Sequence, residues 1–228
     1  MPLIQLQDVE HTYSDSERAV HALRGVTLEI DAGEFVAVTG PSGCGKSTLL
    51  NIIGTLDRPS SGHYRFQGRD VNTLGDNQLA RIRAQEIGFV FQNFNLIDGL
   101  TVYANVELGL LYRRDGIKGQ QKLILEAMDR VGIAHRAHHF PSQLSGGQQQ
   151  RCAIARAIVG HPSLILADEP TGNLDSRSAA EIIGILKALN AEGATLIMVT
   201  HSLSQADQAS RMLEMLDGRV QISTRKMI

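Results

Sequence analysis

The residues Gly40-Pro41-Ser42-Gly43-Cys44-Gly45-Lys46-Ser47-Thr48 have the make-up of a loop that wraps phosphate. Glycines let the backbone turn its N–H groups inward onto phosphate oxygens, and a helix starting at the end of such a loop adds a favourable dipole. Lys46 has the reach and charge for β and γ phosphates, and the Ser47 hydroxyl is a suitable ligand for Mg2+. Cys44 is either a tolerated loop residue or a thiol whose alkylation would block nucleotide. Further along, Asp168-Glu169 closes the apolar run Leu164-Ile165-Leu166-Ala167. Acid pairs are usually solvated surface, but a preceding apolar run places this one at the end of a buried strand. There Asp168 can hold Mg2+ directly or through water, and Glu169 can polarise and orient an attacking water.

A third feature is Leu144-Ser145-Gly146-Gly147-Gln148, which opens a helical segment from Gln148 to Val159. Ala153, Ile154, Ala157 and Ile158 fall on one face of it. Ser145 is a natural N-cap, and a helix start with two exposed glycines is also an anion site, so both readings stand at this point.

These residues need elements to hold them. From Leu3 to Ile30 apolar and polar residues alternate, which suits antiparallel strands with one wet face. Four later runs, Phe35–Thr39, Ile87–Phe91, Leu164–Ala167 and Thr195–Thr200, are continuously apolar and rich in branched side chains. Such runs fit strands buried on both faces in a helix-covered parallel sheet. They lead into Gly40, Gln92, Asp168-Glu169 and His201, and ligands of open α/β sheets sit beyond the carboxyl ends of the strands. Leu49-Leu50-Asn51-Ile52-Ile53 supplies the helix after the glycine loop, and Gln120 to Met128 has three-to-four apolar spacing. The expected fold is α/β: a phosphate-loop core of mostly parallel sheet flanked by helices, with an N-terminal antiparallel β subdomain. Residues 1–92 and 161–228 would form this core and 93–160 an inserted helical subdomain, all within one domain.

Bulk properties bound the function. A net charge of −2 gives no electrostatic footprint for nucleic acid. No segment approaches the ~20 apolar residues needed to cross a bilayer, and Met1-Pro2-Leu3-Ile4 lacks the basic head of a secretory signal. Two cysteines, Cys44 and Cys152, argue against a disulfide framework and for a reducing compartment, so a cytoplasmic chain is expected. His135, His138 and His139 have metal-compatible spacing, but they read as a solvated cluster because no acidic or cysteine partner stands nearby.

The glycine loop, the Ser145 segment and the acid pair, in this order, resemble the ATP-binding cassette (ABC) ATPases over nearly the whole chain. The resemblance implies ATP hydrolysis with Mg2+, Asp168 on the metal and Glu169 as general base. It puts Tyr13 on the adenine face, and it makes Gln92 a sensor of metal and attacking water that links to a membrane partner. Asp175 would contact the opposite subunit and His201 the γ-phosphate. Ser145, Gly146, Gly147 and Gln148 would close over nucleotide held by a second copy, in a head-to-tail pair enclosing two ATP molecules. Read alone, Tyr13 is nearly as readily a core or exposed tyrosine, and a lone histidine is more often structural than catalytic, so what singles out His201 is its place after Thr195–Thr200.

Gly54-Thr55-Leu56-Asp57-Arg58-Pro59, Phe91-Gln92-Asn93-Phe94-Asn95-Leu96 and Thr171-Gly172-Asn173-Leu174-Asp175 carry a finer resemblance, to the lipoprotein-release and macrolide-export branch. That branch implies transmembrane permease partners gripped from the cytoplasmic face of the inner membrane, and efflux or mechanotransmission as the task. An importer ATPase, a cell-division regulator and a soluble non-transport cassette are the alternatives. A kinase or GTPase would give the Ser145 segment no role, and no guanine-reading Asn-Lys-x-Asp is present.

Overall fold

The computed structural model describes residues 2–15, 18–112 and 119–225. Residue 1, and the stretch 113–118 of the expected helical segment, lie outside the described residues. In chain order the elements are β1 (Ile4–Asp15), β2 (Arg18–Ile30), β3 (Phe35–Thr39), α1 (Lys46–Ile53), β4 (Ser61–Phe66) and β5 (Arg69–Asp70). Next come α2 (Asp76–Glu86), β6 (Ile87–Phe91), α3 (Val102–Glu107), α4 (Gln120–Arg130), α5 (Gly146–Ile158) and β7 (Leu164–Asp168). The chain closes with α6 (Ser176–Ala191), β8 (Thr195–Val199), α7 (Leu203–Ala206), β9 (Arg211–Leu216) and β10 (Arg219–Arg225). The fold is α/β, and it divides into two compact units, Met1–Leu79 with Thr195–Ile228 and Ala80–Ala194. Residues 93–160 fall inside the second unit, which also takes in β6, β7 and α6.

The first unit contains an antiparallel sheet in the order β2-β1-β4-β5. Its pairs set Ile4 opposite Ile30 and Phe66, and Leu6 opposite Leu28 and Tyr64. All six side chains are buried, which is the inward half of the alternation seen in the sequence. The same unit holds four strands in the order β10-β9-β3-β8, with β3 parallel to both neighbours and β10 antiparallel to β9. Every residue of β3 and of β8 is buried, as continuous apolar runs require. The β9–β10 turn, Asp217-Gly218, has both residues at positive φ (48° and 78°), the backbone that a two-residue hairpin favours.

Tyr64, on β4, ties the antiparallel sheet to the helix that follows the glycine loop. Its hydroxyl donates to the carbonyl of Ile53, the last residue of α1, at 2.6 Å. The ring is fully buried, and burial pushes the phenol well above its ordinary pKa, so it stays a donor. Tyr64→Phe leaves that carbonyl unpaired and is expected to cost about 1–3 kcal/mol. A lower urea midpoint at unchanged slope checks this.

In the second unit β6 and β7 are parallel, from Ile87 opposite Leu164 to Phe91 opposite Asp168. Helix α5 packs on β6 and is contacted by α3, α4 and α6. Neighbours on several sides widen its apolar surface beyond the single stripe expected. Cys152, Ala153, Ile154 and Ala155 are all buried in succession, while Ala157 is only half-buried. Burial pushes the Cys152 thiol up to about 12, against the opposing pull of the Arg156 charge, so it remains un-ionised. No helix among the described residues is long and apolar enough to cross a membrane.

Candidate active site

The first unit carries the glycine loop, Tyr13 and His201. The loop leaves β3 at Gly40, and three of its glycines, Gly40, Gly43 and Gly45, have positive φ (144°, 78° and 103°). Two of them also have no room for a side chain: a Cβ on Gly40 would lie 2.2 Å from the Met215 carbonyl oxygen, and one on Gly45 2.4 Å from that of Ala22. Gly45 precedes α1 in a left-handed conformation with no side-chain cap, so the first N–H groups of the helix are not taken by a side chain. Lys46 is buried (6% exposed), and its ammonium donates to the Gly40 carbonyl at 2.9 Å and the Pro41 carbonyl at 2.8 Å. A buried cation folded over a loop of left-handed glycines is an anion cradle.

Tyr13, on β1, is 42% exposed. Its hydroxyl donates to the Asp57 carboxylate at 3.1 Å and lies 3.4 Å from the Thr48 hydroxyl, while His11 packs edge-on at 4.5 Å. Asn51 reaches the same Asp57 oxygen at 3.3 Å. The ring is therefore anchored at its polar tip beside the start of α1 and is not sunk in the core. His201 follows β8, whose Val199 lies opposite Val38 of β3, so it emerges at the same strand edge as Gly40. The buried Thr200 before it donates its amide to Val38 at 3.1 Å and its hydroxyl to Gln205 at 3.1 Å, fixing that exit.

The second unit carries Gln92, Asp168, Glu169, the Ser145 segment and Asp175. Phe91 and Asp168 are paired across β6 and β7, so Gln92 and Glu169 leave adjacent strand ends. Asp168 and Glu169 are half-buried. Glu169 has φ +46°, a left-handed backbone that costs a non-glycine residue about 1–3 kcal/mol and clusters at functional sites.

Ser145 caps α5 in a reciprocal box: its hydroxyl accepts from the Gln148 amide at 3.4 Å, and Gln148 Oε1 accepts from the Ser145 amide at 3.0 Å. A Cβ on Gly147 would lie 3.0 Å from Ser178 Oγ, so the starts of α5 and α6 adjoin. Asp175 caps α6, accepting from the amides of Arg177 and Ser178 at 3.0 Å each and from the Ser178 hydroxyl at 2.6 Å. Those bonds, led by Ser178, hold its carboxyl below the ordinary range.

Several residues of this unit escaped the sequence reading. Gln150, wholly buried on α5, donates to the Pro170 carbonyl at 2.7 Å and the Phe91 carbonyl at 3.4 Å, the neighbours of Glu169 and Gln92. Arg156, on the same helix, donates to the carbonyls of Phe94 (2.8 Å) and Asn95, both at positive φ. Burial lowers its pKa from the usual guanidinium value. Asn105, buried on α3, binds Ile97 through both its amide and its carbonyl, and the carbonyls of Leu100 and Thr101. A polar residue on an apolar helix face is the signal that could have marked Gln150 and Asn105, since a buried amide must find partners. Among the histidines, Arg136 donates to His139 Nε2 at 2.9 Å.

Within the first unit, the glycine loop with its buried Lys46 has the form of a phosphate-binding loop, and the chain matches a known family of cassettes. The chain belongs to the ABC transporter family, whose sequence profile matches residues 23–172. It is 51% identical over 220 residues to the macrolide export ATP-binding/permease protein MacB of Chlorobium luteolum, an alignment covering 96% of this chain and 33% of that one. The chain thus spans about a third of the length of such relatives. It is 47% identical over 219 residues to an uncharacterized ABC transporter ATP-binding protein of Thermotoga maritima, covering 96% of this chain and 94% of that one. Among solved structures it resembles the dimeric, post-hydrolysis ATP-binding cassette MJ0796 bound to ADP and Pi, with a TM-score of 0.89 and 44% identity over 97% of this chain and 98% of that one.

Proposed function

We propose that the chain binds and hydrolyses ATP and converts the closing of a head-to-tail pair of copies into work on transmembrane permease subunits. The observation that carries the reading is the buried Lys46 ammonium folded over its left-handed glycine loop, in a chain 44% identical to a cassette solved with ADP and Pi. In this reading residues 1–92 and 161–228 form the nucleotide-binding core, and 93–160 the lobe that carries Ser145.

Each residue then has a task. The N–H groups from Gly40 to Thr48 and Lys46 hold the phosphates, and Tyr13 stacks on adenine. Glu169 accepts the proton of the attacking water, while Gln92 and His201 orient water and γ-phosphate. Ser145, Gly146, Gly147 and Gln148 close over the nucleotide of the second copy, and Asp175 meets that copy. The hydroxyl of Ser47, the carboxylate of Asp168 and the amide carbonyl of Gln92 are hard oxygen donors, a set that fits Mg2+. When bound, the ion neutralises phosphate charge and polarises the γ-phosphate.

The macrolide-export relatives, ATP-binding and permease portions in one protein by name, support efflux or mechanotransmission at the cytoplasmic face of the membrane. The net charge of −2 supports the absence of a nucleic-acid partner. Extraction of the tagged chain from its native membranes in mild detergent is expected to bring a stoichiometric permease with it. A permease with a large periplasmic domain fits this task, a small-loop importer permease moves the task to uptake, and ribosomes or chromosomal proteins in its place contradict the membrane coupling.

A further inference from the structure

The structure assigns to Asn173 a positioning role: it fixes the side-chain amide of Gln92 so that the carbonyl oxygen is the end left to a ligand. A primary amide has a donor end and an acceptor end, and their assignment here follows from hydrogen-bond chemistry. The main-chain oxygen of Gln92 can only accept, so the Asn173 atom 3.2 Å from it is Nδ2. That same nitrogen donates to Asn93 Oδ1 at 2.9 Å. Asn173 Oδ1 is then the end facing the Gln92 side chain at 3.1 Å, and it accepts only from a donor, so Gln92 presents Nε2 to it.

Gln92 Oε1 makes no hydrogen bond among the described residues. A hard cation takes oxygen and rejects an amide nitrogen, so the flipped amide would be useless as a ligand. The glycine beside Asn173 makes the clamp possible. A Cβ on Gly172 would lie 2.7 Å from Gln92 Nε2 and 2.9 Å from its Cδ. Gly172 is not among the glycines with positive φ, so alanine is tolerated by the backbone there and acts by pushing the flexible amide away from Asn173. Gln92 and Asn173 are 81 positions apart, and Asn173 stands two residues before the α6 cap Asp175, so one side chain joins the two loops.

The inference rests on the reading of Gln92 as an oxygen ligand, and the test separates the two. Mn2+ replaces Mg2+ among oxygen ligands, and free Mn2+ is followed by its electron paramagnetic resonance signal. Titrations are made with ATP present in a Glu169→Gln background, so that binding is read without turnover. Asn173→Ala and Gly172→Ala are each expected to weaken Mn2+ binding by about 10-fold, the scale of an outer-shell loss. Gln92→Ala weakens it at least as much, and Asn173→Ala adds nothing to Gln92→Ala. ATP binding in EDTA is unchanged in Asn173→Ala and Gly172→Ala. Parental Mn2+ affinity in Asn173→Ala and Gly172→Ala, with weakened binding in Gln92→Ala, overturns the positioning role alone. Parental affinity in Gln92→Ala overturns the ligand reading and the inference with it.

Discussion

Glu169→Gln is expected to bind ATP as the parent does and to turn it over about 10²–10⁴-fold more slowly, the range lost with a positioned general base. Glutamine keeps the size and the hydrogen-bonding oxygen of the side chain but cannot accept a proton from water. The left-handed backbone at Glu169 and the Gln150 bond to the next residue's carbonyl are untouched by the change, so the side chain is still presented from the same place. Filter binding of labelled ATP and phosphate release in a single turnover check the two halves. Parental turnover would sink the assignment of the base, and lost binding would make Glu169 a nucleotide-holding residue instead.

Lys46→Ala is expected to act on binding itself. The ammonium is buried, and its present partners are two loop carbonyls. Charge-assisted bonds contribute about 1.5–3 kcal/mol each. Contact with two phosphates then makes the expected loss of ATP affinity about 100-fold or more. Calorimetric titration of ATP against the variant measures it, and an unchanged dissociation constant would contradict the cradle. The two variants differ in kind: the glutamate change spares binding and the lysine change does not.

The strands of the core were legible because each is a short apolar run with an abrupt polar end. Phe35–Thr39 and Ile87–Phe91 coincide with β3 and β6, Leu164–Ala167 falls one residue short of β7, and Thr195–Thr200 runs one residue past β8. Ser145 was legible as a cap from its own chemistry and its two following glycines. The β9–β10 hairpin and α6 were overlooked although local signals exist: Asp217-Gly218 is a hairpin turn, and Asp175 precedes the periodic Ile182, Ile183, Leu186 and Leu189. Asp175 carries an expectation of contact with a second copy, and the structure adds a local task, because its Oδ1 caps α6 while its Oδ2 accepts from the Ser178 hydroxyl.

The supports of the site were not legible for a physical reason. Gln150 meets Phe91 from 59 positions away, Arg156 meets Phe94 from 62, and Asn173 meets Gln92 from 81. Such pairs leave no periodic trace: a polar residue on an apolar helix face can mark Gln150 as one that must find partners, but nothing in the sequence says which distant loop it holds.

The pairing of two copies around ATP is tested most directly by sedimentation of the Glu169→Gln chain with and without ATP and Mg2+. The account expects a monomer without nucleotide and, with it, a dimer holding two ATP molecules. Ser145→Arg in the same background should sediment as a monomer that still binds ATP. A chain that binds ATP and stays monomeric without the Ser145 change would contradict the shared site.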